Sequence, residues 1–212
     1  VQKVYDFIWD EFCDWYVETA KYRIYHKEEE KAAADCVLWV LKTVLKQALK
    51  LLHPFMPFIT EEIYSVLVPE EESLMMSEWP QFHAEWDFPA EENVMEHVKE
   101  ITRGIRNMRA EMNVPNNRKT KVYVVCEDTE ICDGISTLEN SIKPLMMAEK
   151  ILVQQTKENI ADNAVSVVVP DAVVYLPLED LVDFEQEMER LQKEEEKLKK
   201  EIKRAEGMLS NE

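Results

Sequence analysis

The segment LHPFMPFITEEIY, residues 52–64, decides how we interpret the fold. Pro54 disfavours helical backbone at His53, so a helix is predicted to end there, and Pro57 blocks an immediate restart. Thr60 is then predicted to cap a second helix, with two glutamates in its first turn, where the helix dipole favours negative charge. We interpret His53 as a hydrogen-bonded packing residue rather than a catalyst. The apolar residues of this corner are predicted to close the end of a helical bundle; they are Phe55, Met56, Phe58 and Ile59.

Apolar side chains recur every three to four residues in three further stretches, which predicts helices over 1–25, 31–52 and 91–112. The apolar stripe of the first helix leaves little polar face, so this helix is predicted to be buried. Its aspartates, spaced four apart, are interpreted as a solvated face rather than a metal or acid–base site. Residues 68–90 are predicted to form an ordered loop against the bundle. Pro115 and the Asn-Asn pair after it are predicted to close the third helix.

The composition, 46% apolar and 32% charged over 212 residues, predicts a folded globular protein. No apolar run approaches the roughly 20 residues that a spanning helix needs, and the N-terminus lacks a signal-peptide pattern. The four cysteines form no C-x-x-C pair. We therefore expect reduced thiols in a cytoplasmic protein without a structural zinc site.

Short runs of β-branched residues follow the helical part. They predict strands at 122–126, 151–155, 164–169 and 172–178, with a helix at 131–146 between the first two. This pattern indicates a small α/β module.

The C-terminal segment has the heptad pattern of a coiled coil. Apolar residues repeat from Leu181 to Leu209, broken once by Glu195. A coiled-coil strand needs a partner strand, and none follows before Glu212. We expect either a truncated arm or pairing with another molecule.

Positive charge is concentrated between residues 99 and 121. The formal net charge of −18 argues against nucleic-acid binding over the whole surface. In this basic window, however, seven basic residues stand against two acidic ones, so the window carries +5 and the remainder −23. Such a footprint can bind phosphates locally, although surface salt bridges are the alternative. The basic residues are Lys99, Arg103, Arg106, Arg109, Arg118, Lys119 and Lys121.

A second set of candidate nucleic-acid-binding cations, the lysine row, consists of Lys42, Lys46 and Lys50. Their spacing is also typical of the solvated face of an amphipathic helix. The sequence contains no Gly-rich phosphate loop, no H-E-x-x-H and no G-x-S-x-G, and its four histidines are far apart. We predict no catalytic residue and no metal site in this chain, which favours a binding or scaffolding role.

Five segments carry a more specific signal: FIWDEFCDWYVETAK (7–21), LLHPFMPFITEEIY (51–64), Trp79-Pro80, IRNMRAEMNVP (105–115) and EMERLQKE (187–194). Together they resemble the anticodon-binding region of class I aminoacyl-tRNA synthetases, and within that class the valyl-tRNA synthetases. The closing KRAEGMLSNE resembles the tip of the family's coiled-coil arm. The isoleucyl enzymes carry a Ser-Asn-Trp-Tyr type of helix where this sequence has Cys-Asp-Trp-Tyr. The family's nucleotide-binding signatures, His-Ile-Gly-His and Lys-Met-Ser-Lys-Ser, are absent from the sequence.

The resemblance implies a mainly α fold of the class I synthetase anticodon-binding type, with a small α/β module and a projecting coiled-coil helix. It implies a helical bundle at 1–117 that lacks its N-terminal part, and a connecting α/β module at 118–179. Residues 180–212 would form the first strand of a truncated tRNA-binding arm.

The resemblance also implies a function: positioning tRNA(Val) for aminoacylation by catalytic and editing domains that lie elsewhere in the same polypeptide. The complete enzyme would be a cytoplasmic monomer that uses ATP and Mg²⁺, whereas this part would need neither a cofactor nor a membrane. Two alternatives stay open: the equivalent region of an isoleucyl-tRNA synthetase, and an adaptor whose coiled coil recruits a protein.

Overall fold

The computed structural model describes residues 1–181 together with Glu195, Leu198, Lys199 and Ile202. A π-helical segment, Phe7–Val17, joins the first two helices, and two short 3₁₀ turns lie at Leu74–Met76 and Ala84–Trp86. The helices are α1 (Gln2–Asp6), α2 (Glu18–Tyr25), α3 (Lys31–Leu52), α4 (Pro57–Leu67), α5 (Pro89–Glu111), α6 (Thr129–Ile142) and α7 (Leu178–Leu181). The strands are β1 (Thr120–Cys126), β2 (Ala148–Gln154), β3 (Val165–Val169) and β4 (Ala172–Leu176).

Helices and one small mixed sheet together confirm a mainly α fold with a small α/β module. The chain divides into two compact units: Val1–Met95 with Thr137–Leu145, and Glu96–Ser136 with the chain from Met146 onward. Most of α5 therefore belongs to the unit that contains the sheet. The domain boundaries at 117 and 179 stay a prediction. The coiled coil predicted from Leu181 to Leu209 lies outside the described residues, apart from isolated positions.

The corner between α3 and α4 confirms one prediction and corrects another. Helix α3 ends at Leu52 with His53 as its C-cap, as the following proline predicts. Helix α4, however, starts at Pro57 rather than after Thr60. Proline suits the first helical position because it has no N–H group to leave unpaired and its φ is already helical. The two glutamates of this segment consequently lie beyond the first turn.

The apolar cluster of the corner does not close a bundle end, which corrects that prediction. All four of its side chains are exposed, and Phe58 retains 91% of its accessible surface. The reason is the earlier start of α4, which turns Thr60 and Tyr64, one turn apart, towards the interior. Phe58 and Ile59 then face outward from the first turn.

The N-terminal segment is also less buried than predicted. It is helical over the expected range, but Phe7–Val17 forms i→i+5 turns, which are rare in proteins. Phe12 and Trp15 are buried, whereas Tyr5, Phe7 and Trp9 are exposed. A π-helical turn holds more residues than an α turn, so the wide apolar stripe is spread over too much of the circumference to face one neighbour.

The core of the first unit contains Leu49, Tyr64, Val68 and Leu74. These residues join α3, α4 and the turn at Leu74–Met76, so the predicted loop does lie against helices. Further along the loop, Trp86 meets Trp39 of α3 edge to face, with ring centroids 6.3 Å apart. This contact holds the far end of the loop on the same helix.

The sheet of the second unit has the order β2-β1-β4-β3. Strand β1 pairs in parallel with β2, across the connection through α6, and antiparallel with β4. Alternate residues of the central strands, such as Val122, Val124 and Val174, are fully buried, which gives the sheet one apolar face.

Helix α5 approaches this apolar face at Gly104. A Cβ atom at Gly104 would lie 2.7 Å from Cγ1 of Val167 and 3.3 Å from Cγ1 of Val169. Val167 pairs with Val174 across β3 and β4, so all these groups share one face of the sheet. Glycine is needed here for close packing of the helix on the sheet.

Cys126 and Cys132 form a disulfide with an S–S distance of 2.12 Å, while Cys13 and Cys36 are free. The expectation of four reduced thiols is therefore wrong for this pair. The reason is local: β1 ends at Cys126, α6 begins at Thr129, and the two Cα atoms are brought within 6.4 Å. In the described part of the chain, no helix is both long and apolar enough to cross a membrane.

Candidate nucleic-acid interface

Helix α5 carries the first half of the basic window. Its buried stripe consists of Val98, Ile101, Ile105 and Met108, at helical spacing. The basic side chains therefore occupy different environments according to their angular distance from this stripe.

The cations along α5 are unequally accessible. Lys99 is 6% exposed, and its Nζ lies 2.6 Å from Oε1 of Glu96. Arg103 is exposed and donates to Glu100 at 2.8 Å, as a surface ion pair of the kind that contributes little stability. Arg106 is also exposed. The helix thus presents Arg103 and Arg106 outward, while the Lys99 side chain is largely covered.

The end of α5 follows the Schellman pattern. Asn113 has a φ of 52°, in the left-handed region that asparagine tolerates better than most residues. The N–H of Val114 donates to the Arg109 carbonyl at 2.9 Å, and the N–H of Asn113 donates to Ala110 at 3.1 Å. Val114 is buried, and Pro115 prevents any continuation of the helix. The stop comes at Asn113, before the Asn-Asn pair that was predicted to close the helix.

Arg109 lies in the last turn of α5 and is 3% exposed. Its Nη2 donates to the carbonyl of Pro115 at 3.0 Å and to the carbonyl of Arg118 at 2.6 Å. Burial lowers the pKa of the guanidinium from its ordinary value. Arg109 therefore faces the inside of the following loop rather than solvent.

The loop after α5 presents the second half of the basic window. The N–H of Arg118 donates to the Pro115 carbonyl at 3.1 Å, which forms a tight turn over 115–118. The partly exposed Arg118 side chain donates from Nη2 to the Glu179 carbonyl at 3.3 Å, and Lys119 is exposed. Lys121 is exposed at the start of β1. We call Arg103, Arg106, Arg118, Lys119 and Lys121 the exposed basic set.

The lysine row on α3 holds the loop that follows α4. Lys42 lies 2.9 Å from Glu70, Lys46 pairs with Glu71, and Lys50 donates to the Glu78 carbonyl at 3.0 Å. Glu71 also accepts from the Tyr64 hydroxyl. These contacts favour the interpretation that the row is a polar helix face that fastens a loop.

Two features of this site were missed from the sequence. The first is the cap at Asn113, for which a signal existed: asparagine, an apolar residue and proline in succession, as in M-N-V-P, is typical of this helix end. The second is the pair of carbonyls that accept hydrogen bonds from Arg109. The sequence carries no signal for them, because every residue has a main-chain carbonyl.

No group of three or more His, Cys, Asp or Glu side chains in the described part of the chain is placed to hold a metal ion.

Comparison with known proteins bears on the same region. The family model for the anticodon-binding domain of tRNA ligases matches residues 1–124. The chain belongs to this family. The matched range of the anticodon-binding domain runs from α1 into β1, so it includes the whole basic window.

Valine–tRNA ligases are among the relatives of this anticodon-binding domain. The chain is 45% identical over its full length to the enzyme of Clostridium perfringens and 46% identical over 90% of its length to that of Clostridium tetani. It is 37% identical over 99% of its length to the enzyme of Bacillus subtilis. The chain spans only 24%, 21% and 23% of the length of these relatives, respectively. These matches confirm the resemblance drawn from the motifs.

Proposed function

We propose that this chain is the part of a valine–tRNA ligase that holds tRNA(Val), while the remainder of the ligase carries out aminoacylation with ATP and Mg²⁺. The observation that carries the proposal is the position of the basic window. In a chain of net charge −18, residues 99–121 carry a net +5, along α5 and in the loop after it. Long-range attraction to RNA is weak for such a chain, so docking has to be local.

The exposed basic set is suited to phosphate contacts. Arginine can bind a phosphate with two parallel N–H groups or stack on an unpaired base, and lysine supplies a point charge. Arg103 and Arg106 project from a helix, while Arg118 ends a fixed turn and Lys119 follows it. Lys99 and Arg109 are buried, so we assign them no direct RNA contact.

The lysine row has a different role in this proposal. Because its ammonium groups bind Glu70, Glu71 and the Glu78 carbonyl, RNA would have to displace loop contacts to reach them. We assign the row to loop attachment. The coiled-coil arm, its contact with the body of the tRNA and the cytoplasmic location remain parts of the proposal that follow from the family.

Sedimentation velocity of the chain with and without tRNA(Val) tests the function against its alternatives. We expect a monomer that forms a one-to-one complex with tRNA(Val) at low salt, because phosphate contacts are strongest there. A stable dimer that does not bind tRNA would instead support the alternative of a protein-recruiting adaptor. Equal or better binding of tRNA(Ile) would support the isoleucyl alternative.

A further inference from the structure

Among the described residues, one buried cation of the basic window forms no ion pair. Arg109 is 3% exposed, and within the described part of the chain its hydrogen bonds go to two main-chain carbonyls and to no carboxylate. Its Nε and Nη1 atoms are buried and have no hydrogen-bond partner there. The alternative of surface salt bridges, drawn from the sequence for the basic window, does not match these contacts of Arg109.

Packing alone does not explain an arginine at this position. A buried charge is costly unless it is paired, and an apolar side chain of similar volume is often equally stable or more stable in such a place. To the described residues, the guanidinium makes hydrogen bonds only from Nη2, and both N–H groups of that nitrogen are used. The function of Arg109 must therefore be sought in the carbonyls that accept these bonds.

Those carbonyls lie on either side of the turn that carries the loop cations. Pro115 and Arg118 bracket two exposed asparagines, and the turn itself has the single main-chain bond from Arg118 to Pro115. Arg109 thus ties the start and the end of the turn to the last turn of α5 through one nitrogen atom. Without it, the turn would keep its own main-chain bond and the cap bonds of Asn113 and Val114, but would lose both side-chain bonds from α5.

We propose that Arg109 is a positioning residue, which fixes the turn at 115–118 so that Arg118 and Lys119 are held ready for phosphates, and which does not touch RNA itself. This inference rests on the proposed function. Long cationic side chains lose rotamer and backbone freedom when they bind, and a loop that is already fixed reduces this loss. The buried guanidinium acts through the loop and not through its own charge.

Hydrogen exchange without RNA tests whether Arg109 holds the loop. In Arg109→Met, which keeps an unbranched side chain as far as the position of Nε but cannot donate, we expect severalfold higher exchange rates at the Arg118 amide, whose bond to the Pro115 carbonyl closes the turn. Arg106→Met, which removes an exposed cation one turn earlier, is the matched control and should leave these rates unchanged. Unchanged loop exchange in Arg109→Met would overturn the proposal.

Arg109→Lys keeps the test decisive if the methionine variant does not fold. Its ammonium group can reach a carbonyl but lacks the fixed geometry of the guanidinium, so we expect intermediate exchange rates. Exchange as slow as in the wild type would show that any buried donor suffices, and would contradict a specific role for arginine.

A double-mutant cycle tests the link to RNA. We expect Arg109→Met to weaken binding of tRNA(Val) about three- to tenfold, roughly the cost of ordering one long side chain, because the two cations lose only part of their order. In a background that already carries Arg118→Gln and Lys119→Gln, the same change should add no further loss, because the cations it positions are gone.

Two results of the cycle would overturn the proposal: no loss from Arg109→Met alone, or the same loss in both backgrounds. A wild-type chain that does not bind tRNA(Val) would overturn the proposed function and the RNA half of this inference. The exchange experiment would still decide whether Arg109 holds the loop.

Discussion

The hydroxyl of Thr60 lies at the centre of the corner between α3 and α4, where it is 2% exposed. It donates to the Met56 carbonyl at 2.8 Å, so the oxygen accepts from Nδ1 of His53 at the same distance. One side chain thereby links the end of α3 to the first turn of α4. His53 is a hydrogen-bonded packing residue, as the sequence predicted.

Thr60→Val replaces this hydroxyl with a methyl group of the same shape. We expect the free energy of unfolding to fall by about 1–2 kcal/mol, because two buried polar groups lose their partner. Urea unfolding monitored by circular dichroism measures the change. Thr60→Ser retains the hydroxyl and should lose clearly less; equal stability of the valine variant and the wild type would show that the link contributes nothing.

Local rules predicted part of this corner and failed where two of them compete. The end of α3 at His53 follows from Pro54 alone. Thr60 does not determine the start of α4, because Pro57 is itself a favoured first residue of a helix and the helix begins there. The partners of Arg109 could not be predicted, since they depend on the reversal of the chain at Asn113.

Among the elements, α3 and the loop after α4 form a polar contact that depends on charge. Glu71 accepts hydrogen bonds from Lys46 and Tyr64. These bonds lower the pKa of the Glu71 carboxyl below its ordinary value of 4.5, and the bond from Lys46 has the larger effect. Folding therefore favours the charged carboxylate. Its contribution is present above pH 4.5 and is lost as the pH falls below that value towards the folded-state pKa.

Glu71→Gln tests this contact. At neutral pH we expect a loss of about half a kcal/mol, a small value because the Glu71 side chain is 38% exposed and solvent screens the ion pair. The difference from the wild type should shrink as the pH is lowered below 4.5. Glu72→Gln, next to it and also exposed, is the control. A difference that persists unchanged at acid pH would mean that the charge is not responsible.

Elements with strong periodicity could be predicted and their pairing could not. The bounds of α3 agree with the predicted 31–52, and those of α5 agree within two residues. The strands also occur where β-branched runs predicted them, although β1 and β2 begin two and three residues earlier. The order β2-β1-β4-β3 and the close approach of α5 at Gly104 depend on contacts distant in sequence. The π-helical segment was missed because its apolar spacing also fits an α-helix.

In the whole molecule, an acidic chain carries a basic region at residues 99–121, and the family match extends over that region. The sequence predicted the region from charge alone. It could not tell which of its cations reach solvent, because that depends on how α5 is oriented: Lys99 and Arg109 are covered, whereas Arg103 and Arg106 are exposed. The central claim is that the exposed basic set binds the phosphates of tRNA.

The salt dependence of tRNA(Val) binding tests this claim most directly. Fluorescence anisotropy between about 50 and about 200 mM salt would compare the wild type with Arg103→Gln/Arg106→Gln, using Lys27→Gln/Lys31→Gln as a control that removes two exposed cations elsewhere. We expect the Arg103/Arg106 variant to bind more weakly, with a salt slope reduced by about one to two phosphate equivalents. Its stability should stay within about 1 kcal/mol of the wild type for each exposed charge removed. An unchanged slope in this variant would contradict the account and place the RNA on another surface.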